Sequence, residues 1–245
     1  MPQDTPRGMD VYFEDFHGDL IPDELATSSD SGTITTNVGL TDNKGGRASI
    51  LRLDNSNDTD NDFAEVDLGA LNYTVQDGRI SMEARVAPYD VSVMAVNVGF
   101  NDDTLEGGNT LPVELSGTSF TSTASTWIGF VYDADATNAT WHAFWVDDDN
   151  DTSTAIATLN TGIALADSTW YTMRIELQDR GSGNAARGLF DIRDENGNHW
   201  NYEANTTIDR DVALVPHIGC ELRSASDNGL IDIDYIEASR SREGS

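Results

Sequence analysis

Two short stretches of this chain gather oxygen donors at a density that could hold a cation. One is Asp54-Asn55-Ser56-Asn57-Asp58-Thr59-Asp60-Asn61-Asp62, and the other is Asp147-Asp148-Asp149-Asn150-Asp151. Calcium takes about 6–8 oxygens from carboxylates, carbonyls and water. That chemistry makes Asp58, Asp60, Asp62, Asp147, Asp149 and Asp151 the candidate ligands of a calcium ion. The first stretch begins like an EF-hand loop, but Thr59 stands where the turn needs glycine. The competing reading is a salt-solvated acidic surface, and no other cofactor is called for. The four histidines, His17, His142, His199 and His217, stand apart with no metal-ligand spacing, although remote residues can converge in space. No Gly-x-Ser-x-Gly elbow and no phosphate loop is present.

The charge balance narrows the partners. Formal net charge is -29, from 43 acids against 14 bases, and Lys44 is the single lysine. Such a chain offers no basic stripe to meet phosphates, which argues against nucleic acid and against an anionic membrane. The composition resembles that of proteins from salt-in halophiles. At molar salt the Debye length falls to about 3 Å, so repulsion between exposed carboxylates fades. No apolar run approaches the roughly 20 residues of a membrane helix, and Met1 to Asp10 has no apolar stretch of the signal-peptide kind. With only Cys220, a disulfide within the chain is impossible, and its apolar neighbours mark a buried small residue.

The elements that would position these groups are strands. Arg79 to Val86 alternates, with Ile80, Met82, Ala84 and Val86 on one face, and Tyr171, Met173, Ile175 and Leu177 repeat the pattern. In Leu230 to Ile236 the same period puts Ile231, Ile233 and Tyr235 on one side. Val91 to Phe100 is apolar nearly throughout and reads as a central strand covered on both faces. Further strands are expected at Val11–Phe16, Ala48–Leu53, Phe63–Leu68, Leu111–Leu115, Trp127–Tyr132, Thr140–Val146, Gly188–Arg193, His199–Glu203 and Val212–Arg223. Gly, Asn, Asp and Ser clusters separate them, as turn chemistry requires. The reading is all-β, a two-sheet antiparallel sandwich over residues 10–238, with an N-terminal arm at 1–9 and a C-terminal tail at 239–245.

The order of these strands resembles the concanavalin A-like jelly roll found in tailed-virus structural proteins. The resemblance rests on Val11-Tyr12-Phe13-Glu14-Asp15-Phe16, on Trp127-Ile128-Gly129-Phe130-Val131-Tyr132-Asp133, on Leu214-Val215-Pro216-His217-Ile218-Gly219 and on the closing Ile231 to Ile236. It implies a virion component, a capsid decoration, turret or tail-associated protein of a virus of a halophilic host. Such a protein would sit on the virion surface, dock on capsid or tail proteins, form a homo-oligomer and have no enzymatic activity. A carbohydrate-binding, lectin-like module on a cell surface or virion is the alternative, with Trp127, Trp141, Phe144, Trp145, Trp170 and Trp200 as a sugar platform or, by default, core.

A laminarinase-like glycoside hydrolase is the second alternative. The active strand of those enzymes reads Glu-x-Asp-x-x-Glu. Here Glu65 and Asp67 share one strand face, but Gly69 and Ala70 occupy the region of the second glutamate. Hydrolysis needs an acid and a nucleophile or base across the bond, so a solvated strand face is the expected role of the pair.

Overall fold

The structure is a computed structural model. It describes residues 8–17, 20–30, 33–38, 49–55, 60–70, 72–76, 78–106, 110–151, 159–224 and 229–241. The chain opens with β1 (Met9–Glu14), β2 (Ala26–Ser29), β3 (Thr33–Val38), β4 (Ser49–Asn55) and β5 (Phe63–Asp67). Then come β6 (Arg79–Tyr89), a short 3-10 turn at Val91–Val93 and β7 (Met94–Asn101). A small hairpin of β8 (Val113–Ser116) and β9 (Ser119–Ser122) precedes β10 (Trp127–Asp133), β11 (Thr140–Asp147), β12 (Asn150–Asp151) and β13 (Asn160–Ala164). The last five are β14 (Tyr171–Gln178), β15 (Arg187–Asp194), β16 (His199–Asn205), β17 (Val215–Leu222) and β18 (Gly229–Ser241).

Two large sheets account for nearly all of these strands. The first runs β16-β15-β14-β6-β18-β4-β3, with β1 also on β18; the second runs β12-β11-β10-β7-β17-β5-β2, with β13 on β11. All strand pairings are antiparallel, so the architecture is the all-β, two-sheet sandwich that the alternation predicts, in keeping with the jelly roll that the resemblance implies. Among the described residues no helix is long and apolar enough to cross a membrane.

Period-two patterning builds the core. Ile80, Met82, Ala84 and Val86 from the first sheet meet Val96, Val98, Phe100, Ile128 and Phe130 from the second, all essentially without exposure. Trp141 and Trp145 lie in the same core, as their shared strand face predicts. The strict alternation of β18 is broken at one point. A β-bulge between Ile233 and Tyr235 shifts the register of β18, so Ile231 and Ile233 face inward and Tyr235 faces out beside Arg85. Its hydroxyl donates to Glu83 at 2.6 Å. At the C-terminal end β18 continues to Ser241, so Ser239, Arg240 and Ser241 belong to the sandwich.

Candidate functional site

The second sheet turns polar side chains away from the core: Glu65 and Asp67 on β5, His217 and Glu221 on β17, Asn97 and Asn101 on β7, and Asp133 on β10. All seven are buried. They are not the solvated strand face expected from the sequence. The chain between β7 and β10 crosses over them as a strap that carries the β8–β9 hairpin. Val113, Leu115 and Phe120 of that hairpin pack on Trp127, Val131, Phe144 and Val146 in a second apolar cluster. This explains why every residue of β7 is buried on both faces.

Sheet side chains hold the strap by its backbone. Leu105 N donates to Asp67 at 2.5 Å, Glu106 N to Glu65 at 3.1 Å and Leu111 N to Glu221 at 3.0 Å. Val113 N donates to Asn97 at 3.0 Å and Leu115 N to Asp133 at 3.1 Å. Three backbone donors of the irregular part of the strap and two of β8 are thereby satisfied by side chains, as buried backbone requires.

Within this layer His217 Nδ1 lies 2.7 Å from Asp67 Oδ1 and 3.7 Å from Glu65. Burial alone would lower the pKa of His217, but the charge and hydrogen bond of Asp67, with Glu65 and Glu106 beyond, raise it. Burial pushes Glu65 up to about 7; the His217 charge opposes this and the Asp67 charge adds to it. His217 Nε2 and Glu65 Oε1 have no hydrogen-bond partner among the described residues. An oriented imidazole beside a carboxyl that titrates near neutrality has the makings of acid–base chemistry. Leu105, Glu106 and Leu111 of the strap lie directly over it. Nearby, Arg223 bridges Asp133 at 2.8 Å and Glu114 at 3.3 Å and also bonds Glu221. Burial pushes Glu221 up to about 7 against the pull of Arg223.

An open cleft of about 380 Å³ lies beyond the end of β5, lined by Tyr12, Asp23, Glu24, Leu68, Gly69, Ala70, Asn72 and Tyr73. Gly69 makes it possible. Its φ is +67°, and a Cβ there would stand 2.6 Å from the Glu24 carbonyl oxygen, so a side chain would push the two walls apart. Tyr73 is fixed by paired backbone bonds with Leu214 at 3.1 and 2.9 Å. Arg240 lies over the Tyr73 ring and donates to the Asn72 carbonyl at 2.7 Å. The Tyr12 hydroxyl has no partner among the described residues. Burial, then the charges of Glu14 and Glu24, hold its pKa well above that of a free phenol. The positions where the hydrolase motif lacks its second glutamate, Gly69 and Ala70, are thus cleft wall.

The described residues place the calcium candidates only in part. Asp58 lies outside the described residues. Asp60 is exposed and Asp62 buried in the β4–β5 connection. Asp147 and Asp149 sit at the end of β11, and Asp151 is in β12. What the fold brings together is Asp147, Asp148 and Asp209, with carboxylate oxygens within 4.8 Å of one another. Three carboxylates suit a hard cation but fall short of a calcium shell, and Asp147 already accepts from Asp209 N at 3.3 Å. Asp209, 62 residues downstream, carried no local signal. Of the aromatic candidates, Trp127, Trp141 and Phe144 are fully buried and Trp145 and Trp170 nearly so, so they are core; only Trp200 is half-buried.

No protein-family model matches the chain, and no curated protein matches it. Solved structures do match in fold. The carbohydrate recognition domain of Emp47p aligns with 10% identity and a TM-score of 0.58, covering 96% of this chain and 98% of that one. Lectin II from Ulex europaeus aligns with 12% identity and a TM-score of 0.56, over 94% and 98%. The PL-14 alginate lyase from Aplysia kurodai gives 10% identity and a TM-score of 0.55, over 85% and 87%.

Proposed function

We propose that this domain is a carbohydrate-binding, lectin-like module that holds its glycan in the Tyr12–Tyr73 cleft and does not turn it over. The observation that carries this reading is the cleft's chemistry. The exposed carboxylates of Asp23 and Glu24 and the exposed amide of Asn72 surround about 380 Å³ of open space beside the rings of Tyr12 and Tyr73. Sugars present vicinal hydroxyls that planar carboxylates and amides can engage in pairs, and C–H faces that pack on aromatic rings. The volume is at the lower end of ligand pockets.

The lectin and carbohydrate-recognition neighbours support the same reading, and the strand order that suggested a virion component is theirs too. The binding alternative therefore takes precedence over the virion reading. Against turnover stands the strap: Glu65, Asp67 and His217 form the strongest acid–base group in the described residues, and the chain's own backbone occupies their carboxylates. A glycan array probed with the full chain in molar potassium chloride tests the proposal. Binding to a defined set of glycans is expected; an array without specific signal would overturn it.

A further inference from the structure

The outer face of the first sheet differs in charge from the rest of the molecule. By register it carries Arg52, Arg79, Arg85, Arg174, Arg187 and Arg193, six of the 14 basic residues. Eight acids share the face, which leaves it close to neutral in a chain of net charge -29. Most of these groups are already paired, as in Arg52–Asp232 at 2.7 Å, Arg85–Asp234 at 3.0 Å and Arg174–Glu176 at 3.0 Å.

The same face holds exposed apolar residues. Four large hydrophobics stay exposed among the described residues, and two of them, Val11 at 39% and Phe13 at 49%, project from β1 on this face. Phe13 lies beside Tyr235, with ring centroids 5.8 Å apart. Farther across, Leu189 lies in a groove of about 300 Å³ between charged neighbours on β14, β15 and β16.

We propose that a second copy of this chain docks on this face, related by a two-fold axis. Charge is the first argument. The rest of the molecule carries nearly all of the net charge of -29, so copies approaching by it bring like charges together; here each meets a nearly balanced face. The face is also self-complementary in its apolar groups: a two-fold axis along β6, midway between β1 and β15 in the sheet, carries Val11 and Phe13 of each copy toward the Leu189 groove of the other.

Area is the second argument. Six strands about 4.8 Å apart, with about six residues each clear of the Ile50–Ala87–Trp170 cluster that covers one end of the face, give on the order of 600 Å² per copy, the lower end of a standard stable interface. The alternation of β1 divides its work, with Val11 and Phe13 facing the partner and Tyr12 facing the cleft.

Sedimentation equilibrium of the full chain in molar potassium chloride tests the assignment. The expected mass is twice 26.6 kDa. Phe13→Asp should give monomers with unchanged circular dichroism, and Leu189→Asp, which puts a charge into the groove, should weaken the dimer at least tenfold. A monomer at every concentration up to 0.2 mM would overturn the proposal. So would a dimer that neither substitution weakens.

Discussion

His217 and Asp67 stand 150 residues apart in the chain, yet Nδ1 of one lies 2.7 Å from Oδ1 of the other, and neither is exposed. The pair exists because β17 lies antiparallel to β5 with His217 opposite Asp67. It sits beneath backbone that it helps to hold, so its protonation is tied to stability.

That coupling has a definite sign. The raised pKa of His217 adds stability that is complete below its unfolded value and is lost as pH rises through the folded one. Glu65 and Glu221, both pushed up to about 7, hold protons that the unfolded chain releases, so the fold loses stability as pH rises from about 4.5 to about 7. All three point the same way. Thermal melts at fixed molar salt should give a Tm higher at pH 5.5 than at pH 8 by about 4–8 °C, from about 2 kcal/mol of linkage. A flat profile, or a Tm that climbs with pH, would show that these groups are not closed off as described. Glu65→Gln together with Glu221→Gln should remove most of the slope.

Strand patterning made much of the sandwich legible, because a face buried on one side leaves a period of two. Ile80 to Val86 and Tyr171 to Leu177 show it directly. The edge strands β2 and β3 were not legible. Ala26-Thr27-Ser28-Ser29 and Thr33-Ile34-Thr35-Thr36 have little apolar face to alternate. Tyr235 was placed on the wrong side because a bulge leaves no mark in composition. The buried role of Glu65 and Asp67 is hidden because the strap that covers them comes from residues 102–106 and 110–126, and nothing local to β5 announces it. The cleft was missed for a related reason: Tyr12, Glu24 and Asn72 come from three separate segments. Gly69 was the one readable sign.

The strap should depend on its apolar anchor. Phe120 stacks on Phe144 with centroids 4.2 Å apart and lies edge-on to His142. Phe120→Ala should cost about 3–5 kcal/mol if the hairpin is integral to the fold. Hydrogen exchange should show faster exchange at the Leu105, Leu111, Val113 and Leu115 amides. Unchanged protection there would mean the hairpin does not fasten the strap.

Salt should act through the crowded carboxylates. Asp147, Asp148 and Asp209 lie within 4.8 Å of one another in a chain of net charge -29. Repulsion of this kind is screened over about 3 Å at molar salt. Tm should rise strongly from dilute buffer to molar potassium chloride, and Asp209→Asn should raise it in dilute buffer alone. Equal melting in both salts would remove the halophilic reading of the composition.

The central claim is that a glycan enters the Tyr12–Tyr73 cleft, and calorimetric titration of a glycan selected on the array tests it most directly. Wild-type chain, Asp23→Ala and Asn72→Ala should be compared in molar potassium chloride. Each variant removes an exposed polar group that lines the cleft without removing core. Both variants should fold as stably as the wild type and bind the glycan about 3–10-fold more weakly, the worth of one hydrogen bond. Binding of equal strength by all three proteins would contradict the account.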